Sequence, residues 1–360
     1  MADNRAALAI ETGLAKPTVS DLISLLMDEG FLIETGRGQS SETGGKRPRL
    51  LEFVPKARQV IGISISEHGI AGLLSDLNGQ VLAEHILPFD DPPETLDIDD
   101  VQGVINGLIA QLDAPLLCLG VGVPGDIENS VVTFPHHLSW QPVNLVEILE
   151  DIYEVPVYIE GNTELAAIAQ FAFEASHAVS SLAIVLVNST VEVGFVLGDT
   201  EYHSGRNIGE QKLSPESPAL EDLIGWQAVK QRIREMKSTF SNSLLPEGRV
   251  RYLDIRYGAF NRDEASLQLC SEFEDIVARI FSWIITLLHP EHLSLAGGIA
   301  DLGQPFLDNI ITKTTSLIPA NLVEDVHFAL VTDTHLSALG AIAYALQHDL
   351  GLIQWQNESV

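Results

Sequence analysis

From Val157 to Phe171 the chain reads VYIEGNTELAAIAQF. A short β-branched and aromatic run passes through Gly161 and Asn162 into an alanine-rich run of strong helix formers. A strand that hands over to a helix through a polar turn is the unit of an α/β sheet, and such sheets hold their ligands at the strand's carboxyl end. The surrounding sequence repeats the theme. Residues 60–86 alternate as a three-stranded meander with a turn at Asn78-Gly79. An acidic loop, an amphipathic helix near 99–112 and an apolar strand, LLCLGVGVPG, follow. A second strand set starts at Ser181, helices are expected over 220–236 and 271–288, and SLAGGIA and a small-residue helix, LSALGAIAYAL, close the pattern. The 360-residue length suits two or three domains.

Charge divides the chain. There are 20 Lys and Arg against 50 Asp and Glu, a net charge of −30. Residues 1–58 are balanced, with 8 basic and 8 acidic side chains, while the remainder carries 12 and 42. Between Arg58 and Arg206 there is no Lys or Arg. A polyanionic partner therefore has to meet the first 58 residues, and an acidic body would orient that end toward it. Adaptation to salt would give the same acidity. No apolar run reaches the ~20 residues that span a bilayer, and the start lacks the apolar region of a signal peptide. Cys118 and Cys270 stand in apolar contexts and read as buried thiols. The expected location is cytoplasmic, with no membrane association.

The first 58 residues read as helix, turn, helix and hairpin. Gly13 suits a helix C′ position, Pro17 suits the first turn of the next helix, and Gly30 ends it. Val19, Leu22, Leu25 and Leu26 make an apolar face; Lys16, Thr18, Ser20 and Asp21 are set opposite it. Short polar groups near a helix N-terminus can reach base edges in a major groove. The following hairpin has a basic tip, GGKRPRL, suited to phosphates and minor grooves. The expected DNA contacts are Lys16, Thr18 and Ser20 to bases, and Arg37, Lys46, Arg47 and Arg49 to backbone or minor groove. Ala15, a poor cap, and Asp21, an anion, oppose this reading. So does the start of the chain, which leaves no room for a preceding helix and reads as trimmed, misassigned or part of a weakened head.

In order along the chain, TGLAKPTVSDLI, GFLIETGRG, GGKRPRLLEF, GVGVPGDIENSVV, HLSWQPVNLVEILED, VPVYIEGNTELAAIA, GRNIGE, HPEHLSLAGGIA and LGAIAYAL resemble the transcription-repressor branch of the ROK family. The resemblance implies an α/β fold: an N-terminal winged helix-turn-helix (1–58) followed by a two-lobed, actin-like ATPase body of ribonuclease-H type. Lobe one would be 59–163, completed by about 335–360, and lobe two 164–334. It also exposes departures from the family's kinases. Their Asp-x-Gly-Gly-Thr phosphate hairpin corresponds to Ile63-Ser64-Ile65-Ser66-Glu67-His68-Gly69. Their glycine-rich second phosphate loop corresponds to VNSTVEVGF, where only Gly194 remains and Glu192 adds a repulsive charge. The zinc-binding string corresponds to Gly209-Glu210-Gln211-Lys212-Leu213, and no cysteine lies between Cys118 and Cys270, so no tetrahedral zinc site is expected.

The family's Asn-Asp pair corresponds to Gly161-Asn162. A carboxamide cannot take a proton at neutral pH. Base, phosphate loops and metal are lost together, so no catalytic residue, cofactor or metal is expected. Glu160 and Glu164 read as a solvated rim or helix start. The resemblance leaves a candidate cleft of Pro124, Gly125, His137, Asn162 and Glu210 for a neutral sugar or polyol; Glu210 and His137 could equally be surface residues. The expected function is a transcriptional repressor of carbohydrate-related genes. It would bind a DNA operator as a homodimer or homotetramer, with a body for effector binding, oligomerisation or both. The alternatives are an active sugar kinase with an attached head and an interaction protein that does not bind DNA.

Overall fold

The computed structural model describes residues 3–37, 49–89, 93–135, 138–174, 179–197, 203–248, 250–332 and 335–351. Lys46, Arg47 and His137 lie outside that set, as does the side chain of Arg37.

The head comprises β1 (Asp3–Asn4), α1 (Arg5–Glu11), α2 (Lys16–Asp28), β2 (Leu32–Arg37) and β3 (Arg49–Phe53). The Asn4 side chain caps α1 by accepting from the N–H groups of Ala6 and Ala7. Ala15 precedes α2 and supplies no side-chain cap. β2 and β3 form an antiparallel hairpin, and β1 pairs with the other edge of β3. The head's small core is Ala9, Val19, Ile23 and Leu51. The expected apolar face of α2 is corrected here. Val19 and Ile23, one turn apart, point inward, whereas Leu22, Leu25 and Leu26 are 46, 54 and 39% exposed. Helical spacing marks a broad apolar stripe, but α1 and β3 are narrow enough to cover only one side of it.

The body contains two sheets with the same topology. The first uses β4 (Gln59–Ser66), β5 (Gly69–Asp76), β6 (Val81–Pro88), β7 (Leu116–Val123) and β10 (Val157–Gly161) in the order β10-β7-β4-β5-β6. Helix α3 (Ile98–Ile109), hairpin β8 (Asp126–Glu128) and β9 (Val131–Thr133), and helix α4 (Leu145–Tyr153) are inserted between its strands. The second uses β11 (Ser181–Val187), β12 (Val191–Leu197), β13 (His203–Asn207), β14 (His292–Ala296) and β15 (His327–Val331) in the order β13-β12-β11-β14-β15. In each, an antiparallel meander is extended by two parallel strands from its first member. Parallel neighbours need crossovers, which the helices provide.

Helix α5 (Asn162–Ala169) leaves the first sheet, and α6 (Glu221–Ile224), α7 (Trp226–Thr239), α8 (Tyr252–Phe260), α9 (Glu264–Leu288) and α10 (Gln304–Leu317) belong to the second half. The helix expected over 220–236 is therefore two, broken at Gly225, where a Cβ would lie 2.5 Å from both Glu221 O and Ser189 O. The helix expected at 271 begins a full two turns earlier, at Glu264, where the Asp263 side chain accepts from the N–H of Ser266.

The final helix, α11 (Leu336–Leu350), packs across β4 and β7 and against α5. Its small residues are a geometric necessity: a Cβ on Gly340 would lie 1.8 Å from the Leu165 carbonyl oxygen. Near its other end, Ala345 and Leu346 join Val60, Leu73, Leu77 and Cys118 in a buried cluster that also takes Phe31 from the head. The Arg58 guanidinium lies over the Phe31 ring at 5.0 Å. Head and body thus share a core as well as a linker.

Candidate functional site

The two halves of the body flank a cleft of about 1060 Å³. Gly125, Asp126, Thr133, Phe134 and Pro135 line one wall; α7 and α9 supply Gln227, Gln231, Arg232, Glu235, Glu272 and Asp275 on the other. Between them stand Gly161, Asn162, Glu164, Thr190, Glu192, Asn207 and Glu210. Of the sequence candidates, Gly125, Asn162 and Glu210 come together here. Pro124 immediately precedes the lining residue Gly125 and is half-buried. A hairpin folds back on Gly125; a Cβ there would meet Thr133 O at 2.3 Å.

Asn162 is held from three sides. Its Nδ2 donates to the Ile65 carbonyl at 2.7 Å, its Oδ1 accepts from Ser64 Oγ at 3.0 Å, and its own carbonyl accepts from Ser337 Oγ at 2.8 Å. The position needs one donor and one acceptor on the same planar group, which a carboxamide has and a carboxylate lacks. Glu160 accepts from the N–H of Gly161 at 2.9 Å. Burial, followed by the nearby Glu160 and Glu164 charges, pushes the Tyr344 phenol up to about 12. Glu164 lines the cleft, so it is more than a helix-start residue.

Glu192 is also committed. It accepts from the hydroxyls of Thr163 and Thr190, the latter at 2.7 Å. Gly194, the glycine left in that loop, lies within β12 and admits the backbone of α5: a Cβ there would lie 2.4 Å from Thr163 O. It serves helix packing, not an anion cradle. Glu210 is exposed at the turn after β13, where the Gln211 N–H bonds to Ile208 O at 3.0 Å.

Among the described residues, nine carboxylates line the cleft (Asp126, Glu164, Glu192, Glu210, Glu221, Asp222, Glu235, Glu272 and Asp275) against one cation, Arg232. That guanidinium donates to both oxygens of Glu272, at 3.1 and 2.8 Å, and to Glu235. Its hydrogen bonds hold the Glu272 carboxyl below its usual range. A phosphate would meet a negative field there, with the Arg232 guanidinium already engaged. The polar residues of α7 and α9 were not singled out in the sequence. Their charge indicates a solvent-facing surface, but only the packing of the halves tells which polar face meets the cleft.

Where the family's zinc string would supply its histidine, this chain has Leu213. Cys118 is buried on β7 and Cys270 lies on α9, away from that turn in the chain. This donor set does not fit a tetrahedral zinc ion.

In the head, Lys16 and Thr18 are exposed on the first turn of α2. Ser20 is half-buried and accepts from Arg5 Nη1 at 2.9 Å. Arg49 pairs with Glu34 across the hairpin, and Arg5 approaches the same carboxylate at 3.5 Å. Of the expected DNA-facing groups, Lys16 and Thr18 are free of such ties among the described contacts, whereas Ser20 and Arg49 already have partners inside the head.

A helix-turn-helix with a hairpin, joined to duplicated sheets around an acidic interlobe cleft, defines a two-lobed protein of the actin-like class with an added head. The chain belongs to the ROK family, whose model matches residues 60–348. It is similar to the xylose repressor of Bacillus spizizenii, 25% identical over 98% of this chain and 93% of that protein. It is also similar to the DNA-binding transcriptional dual regulator NagC of Escherichia coli, 22% identical over 94% and 87%. Among solved structures, a ROK family transcriptional regulator homologous to the E. coli MLC protein superposes with a TM-score of 0.79 at 18% identity, over 98% of this chain and 93% of that one. A ROK family glucokinase from Streptomyces griseus, in complex with glucose and AMPPNP, gives 0.64 at 17% identity and covers 80% of this chain and 99% of its own, which confirms the body's fold.

Proposed function

We propose that the protein is a sugar-responsive transcriptional repressor: residues 1–58 bind an operator, and a non-catalytic body binds a neutral sugar or polyol. The observation that carries this reading is the pairing, in one chain, of a helix-turn-helix head with a body whose base position is a hydrogen-bonded carboxamide, Asn162. Relatives named as repressors over almost the whole chain support it.

In this reading the chain divides into 1–58, 59–163 with about 335–360, and 164–334, a division that the two duplicated sheets support. Lys16 and Thr18 are suited to base contacts, and the uncapped start of α2 offers N–H groups to phosphate. Arg37, Lys46 and Arg47 complete the basic surface in this reading. Arg49 is assigned to bracing the hairpin through Glu34, with Ser20 bracing Arg5. Pairing of bodies into a homodimer or homotetramer would present two heads to a palindromic site.

In the cleft, Glu210 accepts ligand hydroxyls while Gln227, Gln231 and Asn207 can donate or accept. An active kinase is the competing reading, since ROK kinases share the fold. It is disfavoured by the lack of a base at Asn162 and by the acidic lining. A gel shift of the full chain on its own upstream DNA, with and without a panel of neutral sugars, tests the proposal. It stands if a shift is seen and one sugar changes it, and fails if sugar-dependent ADP release occurs or no DNA is bound.

A further inference from the structure

The halves of the body meet at a second place, beside the cleft. Glu67, on the turn between β4 and β5, is only 8% exposed. Its Oε1 accepts from the backbone N–H of Ser189, on the turn between β11 and β12, at 3.2 Å, and His68 Nε2 lies 3.5 Å from the same oxygen. Ser189 itself lines the cleft, and its hydroxyl is buried with no hydrogen-bond partner among the described residues. A carboxylate is rarely buried unless a specific contact holds it there.

The position of this contact gives it meaning. β11 ends at Val187, and its parallel neighbour β14 ends at Ala296 and turns through Gly297-Gly298, Gly297 having φ +82°. The carboxyl ends of adjacent parallel strands, with a glycine turn after one of them, are where open α/β sheets bind phosphorylated ligands. Here the protein fills that crevice itself. Asn188 Oδ1 accepts from the Gly298 N–H at 2.9 Å. The Tyr252 ring lies so close that a Cβ on Gly298 would meet it at 2.8 Å. Trp226 packs on Tyr252 with ring centroids 4.6 Å apart. Glu67 then brings a negative charge from the opposite half onto the Ser189 amide of the β11–β12 turn.

We propose that Glu67 is a resident anion: its carboxylate takes the position at which the two turns would hold a phosphate, closes the crevice to nucleoside polyphosphates and ties the two halves together. The aromatic pair closes the glycine side. The neighbouring cleft would then answer to an uncharged ligand whatever the nucleotide concentration. This deepens the non-catalytic reading of the body and rests on it; it makes no use of the DNA-binding head.

The test uses the full chain, with inorganic tripolyphosphate as the probe, followed by calorimetry and thermal unfolding at constant ionic strength. Wild type should show neither heat of binding nor a shift in Tm at millimolar probe. Glu67→Gly removes the resident anion; it should melt several degrees lower and regain most of that loss with tripolyphosphate, because ligand binding to the folded state raises Tm. Glu67→Gln keeps the shape and the acceptor while removing the charge; it fills the crevice as the carboxylate does, so it should fold like wild type and still not bind the probe. Glu67→Ser shortens the side chain and should bind the probe as Glu67→Gly does, which keeps the test decisive should Glu67→Gly not fold. Tripolyphosphate binding by wild type equal to that of Glu67→Gly or Glu67→Ser, or no binding by whichever of these two folds, would overturn the proposal. Neither result touches the non-catalytic reading, which fails only on sugar-dependent ADP release by wild type.

Discussion

Asn162→Asp would place an ionisable carboxyl at the end of β10, where the proposed reading sets the family's base, and the hydrogen bonds around Asn162 argue that an ionised carboxyl would be poorly housed there. Asn162 Nδ2 donates to Ile65 O at 2.7 Å, and Oδ1 accepts from Ser64 Oγ at 3.0 Å. An ionised carboxylate keeps the second contact, strengthened by its charge, but sets an oxygen against the Ile65 carbonyl in place of the first. Leaving a buried acceptor unpaired costs about 1–3 kcal/mol. The stronger Ser64 bond offsets part of this, while Glu164, Glu192 and Asp126 around the same cleft add repulsion. A net loss of about 2 kcal/mol at pH 8 corresponds to a fall in Tm of roughly 4–8 °C, using the scaling for domains of 150–250 residues.

The sign of the pH dependence follows from the same geometry. The folded state favours the protonated carboxyl, which can donate to Ile65 O, so its folded pKa lies above the unfolded value. The deficit is then full above the folded pKa and shrinks as pH falls through it toward the unfolded value. Thermal unfolding of both proteins at pH 8 and pH 5, with a coupled assay for sugar-dependent ADP release, provides the measurement. Equal stability of the two proteins at pH 8, or any kinase activity in the variant, would refute the reasoning.

Four further outcomes are expected. Glu210→Ala should weaken binding of a neutral sugar found by thermal-shift screening by about 2 kcal/mol or more, since it removes a charge-assisted acceptor; sugar phosphates should be the weakest ligands of the panel. Arg47→Ala with Lys46→Ala should lower DNA affinity for all sequences and flatten the salt dependence by about one unit per lost phosphate contact, read by fluorescence anisotropy at several salt concentrations. Burial, with the His327 charge second, lowers the pKa of His292 below its ordinary 6.5; its contribution to stability should be full above pH 6.5 and decline as the pH falls through the folded value, and His292→Asn should flatten that part of the profile measured by urea unfolding. Burial raises both thiols, Cys270 to about 12 and Cys118 likewise upward; a thiol reagent at pH 8 should label the native protein slowly and both cysteines at once in guanidinium.

The sequence made the topology legible where local pattern and tertiary role coincide. The β4–β5–β6 meander, the Asn78-Gly79 turn and the handover from β10 to α5 each announce themselves in residue type. The head was legible in its elements but not in its burial. Leu22, Leu25 and Leu26 have helical spacing, yet Val19 and Ile23 face the partner, because periodicity fixes an angle on a helix and not the width of what covers it. At the cleft, Asn162 could be read from the sequence because it departs from a known pattern, and Glu210 because it keeps one. Gln227, Gln231 and Glu272 could not, because a polar residue on a helix looks the same whether it faces solvent or a cleft. The charges of Glu67 and Glu192 were legible; their partners were not, since Ser189 and Thr163 are brought to them only by tertiary folding.

One helix connects the places where function is proposed. At its start, Ser337 bonds to the Asn162 carbonyl beside the cleft. At its far end, Ala345 and Leu346 pack in the cluster that receives Phe31 from the head. Along its length, Gly340 brings α11 against α5 with no side chain between the backbones, so the two helices have little freedom to slide independently. The Val54 N–H bonds to Phe31 O at 2.9 Å and the Leu77 N–H to Pro55 O at 3.0 Å, which stitches the end of the wing to both the head and the first sheet. A ligand that changed the angle between the halves would therefore move α5 and α11 together, and α11 bears directly on the residue that roots the head. Coupling of this kind needs no contact between ligand and head. It needs only that the open and closed arrangements seat Phe31 with different free energies, so that operator and ligand each favour one of them and, by linkage, each alters the other's affinity by the same factor.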